Sequence, residues 1–96
     1  MNTKRFKTED DVREAIEDCG YEDVIIFSNP SYASAFIGIS EDNRAVYDYD
    51  KMIEFLVEED NMTMIDAIEF ISYNTIRALP YYGGDTPIIM YPILPM

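Results

Sequence analysis

The stretch Ala45-Val46-Tyr47-Asp48-Tyr49-Asp50-Lys51-Met52-Ile53-Glu54-Phe55-Leu56-Val57-Glu58-Glu59-Asp60 decides the fold, because the character of its apolar pattern changes partway along. Ala45–Tyr49 carries the pattern of a half-buried strand. From Asp50, a good N-cap, the residues Met52, Ile53, Phe55, Leu56 and Val57 recur at helical spacing. The helix ends in Glu58-Glu59-Asp60, and negative charge at a helix C-terminus opposes the macrodipole. Those three acids are therefore not placed there for the helix's own stability.

Upstream, Tyr32–Ile39 is a second strand pattern, with Ala33, Ala35, Ile37 and Ile39 on one side and Gly38 suggesting a bulge. The polar segment Ser40–Arg44 joins it to Ala45–Tyr49 as a β-hairpin. Val24–Phe27 reads as a further short strand, closed by the turn pair Asn29-Pro30. Before it, Thr8 as N-cap, Asp11 in capping-box position and Gly20 at the end bound a first helix. Its apolar stripe is Val12, Ala15, Ile16 and Cys19, which makes Cys19 a packed, inert thiol.

Downstream, Asn61-Met62 turns the chain, and Thr63 with Asp66 opens a third helix. Ile65, Ile68, Phe70, Ile71, Ile76 and Leu79 give it a broad apolar face, and Pro80 closes it. Tyr81-Tyr82-Gly83-Gly84-Asp85 is a loop, and Ile88–Tyr91 is a strand. Pro92 and Pro95 confine the last five residues to a sheet edge or a docked tail. The expected fold is α+β, one domain over residues 1–96. The order is α-β-β-β-α-α-β, with a small antiparallel or mixed sheet and helices on one face. Residues 1–7 are expected as a flexible basic N-terminus and 92–96 as an apolar tail.

Charge is the compositional outlier. Nineteen Asp and Glu face seven Lys and Arg in 96 residues, for a formal charge of −12. Three of the bases (Lys4, Arg5 and Lys7) precede Thr8. Such a surface repels nucleic acid and anionic lipid, so direct binding to either is not expected; basic proteins are its natural partners. One cysteine permits no intrachain disulfide, and no apolar region follows Met1–Lys7 as a secretory signal would require. No run reaches the ~18 apolar residues of a membrane span. A cytoplasmic protein is expected.

Histidine is absent, which removes the commonest general base and metal ligand, together with every Ser-His or Cys-His relay. Gly83-Gly84 lacks the context of a phosphate loop. Asp48-Tyr49-Asp50 resembles the paired carboxylates that hold a divalent metal in some transferases. Its ordinary reading is better: Asp50 caps a helix and Asp48 points outward from a strand. No calcium-loop pattern is present. No enzyme activity, no metal and no cofactor is expected.

Two features point to a binding surface. In the first helix Asp10, Glu14 and Asp18 are four residues apart with Glu17 alongside, so carboxylates repeat about every 6 Å along one face. A solvated helix face is the ordinary meaning of that row; a mimic of a phosphate backbone is the functional one. Eight tyrosines and no tryptophan make the second. Tyr47 and Tyr91 fit sheet positions, whereas Tyr81 and Tyr82, beside two glycines, are interface candidates.

The segments Ala45–Asp60 and Ala67-Ile-Glu-Phe-Ile-Ser-Tyr-Asn-Thr-Ile-Arg-Ala-Leu-Pro80 resemble a family of small, acidic, uncharacterised proteins of Firmicutes, their phages and mobile elements. The likeness spans roughly Val24 to Ile93 and implies no particular activity. In size and charge, though in no motif, the chain is similar to anti-CRISPR and anti-restriction proteins. The leading expectation is an inhibitor of a basic nucleic-acid-binding protein such as a CRISPR effector. Asp10, Glu14, Glu17, Asp18, Glu58, Glu59 and Asp60 would enter the basic channel, and Tyr81 and Tyr82 would supply packing. The alternative is a structural or regulatory module, homodimeric through the C-terminal strand; a carboxylate-based metal enzyme is the third.

Overall fold

A computed structural model describes residues 6–93. Helix α1 spans Glu9–Asp18, and a short 3-10 turn, Ala33–Ala35, leads into strand β1, Phe36–Ile39. Strand β2, Ala45–Asp48, runs straight into helix α2, Tyr49–Glu59. Helix α3, Met64–Phe70, widens into a π-helical segment over Ile71–Ile76. A 3-10 turn at Leu79–Tyr81 precedes strand β3, Ile88–Met90. The fold is α+β, with a mixed three-stranded sheet in the order β1-β2-β3. β1 pairs antiparallel with β2, and β3 lies parallel to β2 on its other side. The register slips between Phe36 and Gly38, where the sequence suggested a bulge.

Local chemistry fixes the helix starts. Thr8 Oγ1 accepts from the Asp11 backbone N–H at 3.1 Å, and an Asp11 carboxylate oxygen accepts from the Thr8 N–H at 3.1 Å, so the capping box is complete. Thr63 Oγ1 accepts from the Asp66 N–H at 3.1 Å to open α3. At α2 the cap is Asp48, not Asp50: its Oδ1 accepts from the Lys51 N–H at 3.1 Å. The helix starts at Tyr49 because the residue leaving the strand already has the extended backbone of an N-cap. Asp48 is thus engaged as a cap, and Asp50 lies within the first turn.

Val24–Phe27, expected as a strand, belongs to no strand. Left-handed residues at Asp23 (φ 59) and Asn29 (φ 55) bracket the run. Its deepest backbone donor, the Phe27 N–H, is satisfied by the Tyr47 hydroxyl at 3.1 Å and not by a neighbouring strand. A side chain does here what a ladder would have done. Likewise Tyr32 is not in a strand: it is fully buried at φ 49, unusual for a bulky side chain, and its hydroxyl shares a hydrogen bond with Thr75 Oγ1 in the π-helical segment.

The core is assembled from Val12 and Ile16 of α1, Phe27, Tyr32 and Tyr47, Met52 and Leu56 of α2, and Ala67 and Ile71 of α3 and its extension. Phe27 is its aromatic centre, with ring centroids 4.7 Å from Tyr47 and 5.4 Å from Tyr32. Cys19 is exposed, because it is the C-cap where α1 turns away from the core. At the inner end of the expected basic N-terminus two residues make contacts. Phe6 packs edge-on against Phe36 at 5.4 Å, and the Lys7 N–H donates to Asp11. Residues 1–5 lie outside the described residues. The last strand stops at Met90, and the Tyr91 ring lies tilted against Tyr49, with centroids 4.6 Å apart. Of the expected apolar tail, Pro92 is half-buried and Ile93 exposed; residues 94–96 lie outside the described residues.

Candidate protein-binding surface

Helix α1 turns Val12 and Ile16 inward and leaves Asp10, Glu14, Glu17 and Asp18 on the outside. This arrangement comes from the sequence directly, since residues four apart share a helix face. Glu9, one residue before the row, is different. Its carboxylate accepts from Ser28 Oγ at 2.8 Å and pairs with Arg13 at 2.7 Å, and these partners hold it below its ordinary pKa. Asp11 is held low by the backbone N–H groups of Lys7 and Thr8. Arg44 pairs with Asp42 at 3.6 Å but spends its stronger bonds on Thr86, donating from Nε to the carbonyl at 2.7 Å. These few bases leave the carboxylate surplus at the surface.

The second acidic group also reaches the surface: Glu58, Glu59 and Asp60 are exposed at the end of α2, and no basic residue occupies that helix's last turn. Tertiary structure adds a connection the sequence did not reveal. Glu59 and Asp60 line a groove of about 840 Å³ together with Lys7, Glu9, Pro30, Phe55 and Phe70. A smaller cavity of about 230 Å³ shares Ser28, Asn29, Pro30 and Phe70 with that groove, and is closed by Tyr32, Thr75 and Tyr82. The two are neighbours around Phe70, with Glu59 and Asp60 lining the groove and Tyr82 the smaller cavity.

The two interface tyrosines separate. Tyr81 is 89% exposed. Tyr82 is 36% exposed and rests edge-on against Phe27 at 6.1 Å, where burial raises its phenol pKa. Tyr81 lines neither the groove nor the smaller cavity, which leaves the expected nine-residue set divided among three places.

A larger departure concerns α3. Only part of its expected apolar face is covered: Ile71 is buried and Phe70, Ile76 and Leu79 pack against the core, but Ile65 is 70% exposed and Ile68 38%, and beside them Met64 is 64% and Tyr73 63% exposed. Only Ala67 of the helix, with Ile71 and Thr75 of the π-helical segment, is fully packed. The signal was present in the sequence. At about 100° per residue, Ile65 and Ile71 lie roughly 120° apart around the axis, too far for one neighbouring helix to cover both.

Among the described residues, no group of three or more Cys, Asp and Glu side chains is placed to hold a metal ion, and no helix is long and apolar enough to cross a membrane. What the surface offers chemically is charge, aromatic edges and aliphatic area. Comparison with family models, curated proteins and solved structures finds no match for this chain, including over the two segments that carry the family resemblance.

Proposed function

We propose that the protein is a non-catalytic inhibitor that binds a basic, nucleic-acid-handling bacterial enzyme, of the CRISPR-effector or restriction type, and blocks the channel meant for nucleic acid. The observation that carries this reading is the exposed carboxylate row Asp10, Glu14, Glu17 and Asp18 on a helix that is capped at its start and packed along its inner side. Charges repeating about every 6 Å on a rigid helix present a basic cleft with a line of negative charge, as a phosphate backbone does. The exposed Glu59 and Asp60 extend the same sign of potential to a second element. The reading requires no cofactor or metal.

The test uses the whole chain as bait against a bacterial lysate, at low and at high salt. The captured enzyme is then assayed for nucleic-acid binding with and without the protein. Expected are capture that weakens steeply between about 50 and 200 mM salt, and loss of the enzyme's nucleic-acid binding. Salt-independent capture, or an enzyme that keeps its nucleic acid, would sink the proposal.

A second reading, a regulatory module that dimerises through its C-terminal strand, is favoured by the position of β3 at the sheet edge. Sedimentation at micromolar concentration separates the two: a stable dimer at low salt supports strand pairing, since like-charged copies would not otherwise associate there.

A further inference from the structure

Helix α3 presents an aliphatic face that the rest of the fold leaves uncovered. Met64, Ile65 and Ile68 fall within an arc of about 100° on the helix and are 64%, 70% and 38% exposed. Exposed Ile at two positions of a short helix is not explained by core packing, because the packed side is already supplied by Ala67 and Ile71. Beside this stripe, Asp66 and Glu69 line a shallow groove of about 390 Å³ together with Met62, Phe70, Tyr73 and Asn74. An apolar centre bordered by charge is the anatomy of a protein interface.

Two considerations identify the occupant. Three aliphatic side chains and a tyrosine offer far less than the ~800 Å² that each side of a standard interface contributes, so the charged border must take part in binding. That border is acidic, and the whole chain carries −12, which penalises a second copy of the same surface through like-charge repulsion. We infer that α3 docks a cationic partner segment that sets aliphatic side chains against Met64, Ile65 and Ile68 and Lys or Arg side chains against Asp66 and Glu69. This deepens the inhibitor reading and rests on it: the α1 row supplies long-range attraction, and α3 supplies the short-range contact that fixes register. The roles divide as steering and anchoring usually do, rim charge setting the association rate and buried apolar contacts the dissociation rate.

The experiment compares two synthetic probes of equal positive charge against the full chain. One is an amphipathic leucine–lysine helix, the other an oligolysine without apolar residues. Amide chemical shifts are followed by NMR at about 150 mM salt, where exposed charges interact only over ~8 Å. The leucine–lysine probe is expected to bind about tenfold tighter than oligolysine, a difference of ~1.4 kcal/mol, and to shift Met64–Glu69 and Tyr73. Replacing Ile65→Ser and Ile68→Ser together should erase that tenfold advantage. Replacing Asp10→Asn, Glu14→Gln and Asp18→Asn should weaken both probes alike and leave the advantage intact. Circular dichroism of each variant controls for folding, and the single Ile65→Ser, at the more exposed of the two isoleucines, serves if the double variant is unstable.

Equal affinity for the two probes, or shifts confined to α1, would overturn the α3 proposal while leaving the acidic-binder reading standing. Failure of both probes to bind would remove both. Concentration-dependent shifts at Met64–Ile68 in the protein alone would show a second copy as the occupant and overturn the cationic assignment.

Discussion

Tyr47 holds more of the structure together than its position on a short strand suggests. Its ring is fully buried against Phe27 and Phe36, and its hydroxyl accepts the Phe27 N–H at 3.1 Å. Tyr47→Phe keeps the ring and strands that donor, so a loss of about 1–3 kcal/mol is expected; a lowered urea midpoint with unchanged slope would establish it. Burial also raises the phenol pKa of Tyr47, and raises that of Tyr32 to about 12. The sign comes from linkage. An unfolded tyrosine releases its proton near pH 10, whereas folded Tyr32 holds it to about pH 12. The stabilisation is therefore complete below pH 10 and is lost as pH rises through that window. Alkaline titration by tyrosinate absorbance should show Tyr32 and Tyr47 ionising late, together with loss of the helical circular dichroism. Ionisation of all eight at the ordinary pH, with the fold intact, would contradict this.

At the scale of elements, α3 and its extension have a packed side and an open side. Ile71 is fully buried in the same core cluster as Met52 and Leu56 of α2. Ile71→Ala should cost about 2–5 kcal/mol, the range for aliphatic truncation in a packed core. Ile65→Ser, at a position 70% exposed, should change stability by no more than about 0.5 kcal/mol. Thermal denaturation of the pair checks the asymmetry; a large loss at Ile65 would mean that this face packs on something in the folded monomer. The π-helical turn after α3 places Thr75 against the buried Tyr32 hydroxyl. At the sheet, Arg44 ties the hairpin to the segment entering β3 through both the carbonyl and the hydroxyl of Thr86.

For the whole molecule, the dominant quantity is net charge. With −12 spread over 96 residues, self-repulsion opposes compaction, and screening relieves it. Raising salt from about 10 to 150 mM shortens the Debye length from ~30 to ~8 Å. The melting temperature should therefore rise, by ~4–8 °C for each ~1 kcal/mol of repulsion removed. The same salt should weaken capture of a cationic partner. Scanning calorimetry and binding measured over one salt series give opposite slopes if the carboxylates are free to act outward. A melting temperature that falls with salt would mean that ion pairs within the fold dominate instead.

The amino-acid sequence by itself determined the α+β class, the starts of α1 and α3, the hairpin with its irregularity at Gly38, and the outward acidic row on α1. Each of these depends on neighbours within a few residues, a cap with its own first turn or a turn with its flanks; strict alternation failed along β1, where Phe36 is buried and Ile37 is 45% exposed. Tertiary structure alone decided that Val24–Phe27 is held by the Tyr47 hydroxyl, that Tyr32 is buried in a left-handed conformation, and that β3 runs parallel to β2. It also decided that Cys19 faces outward and that α3 keeps Ile65 uncovered. Those outcomes depend on which distant groups meet. Local periodicity reports that a residue is apolar and which way it points, but only packing determines whether anything is there to cover it.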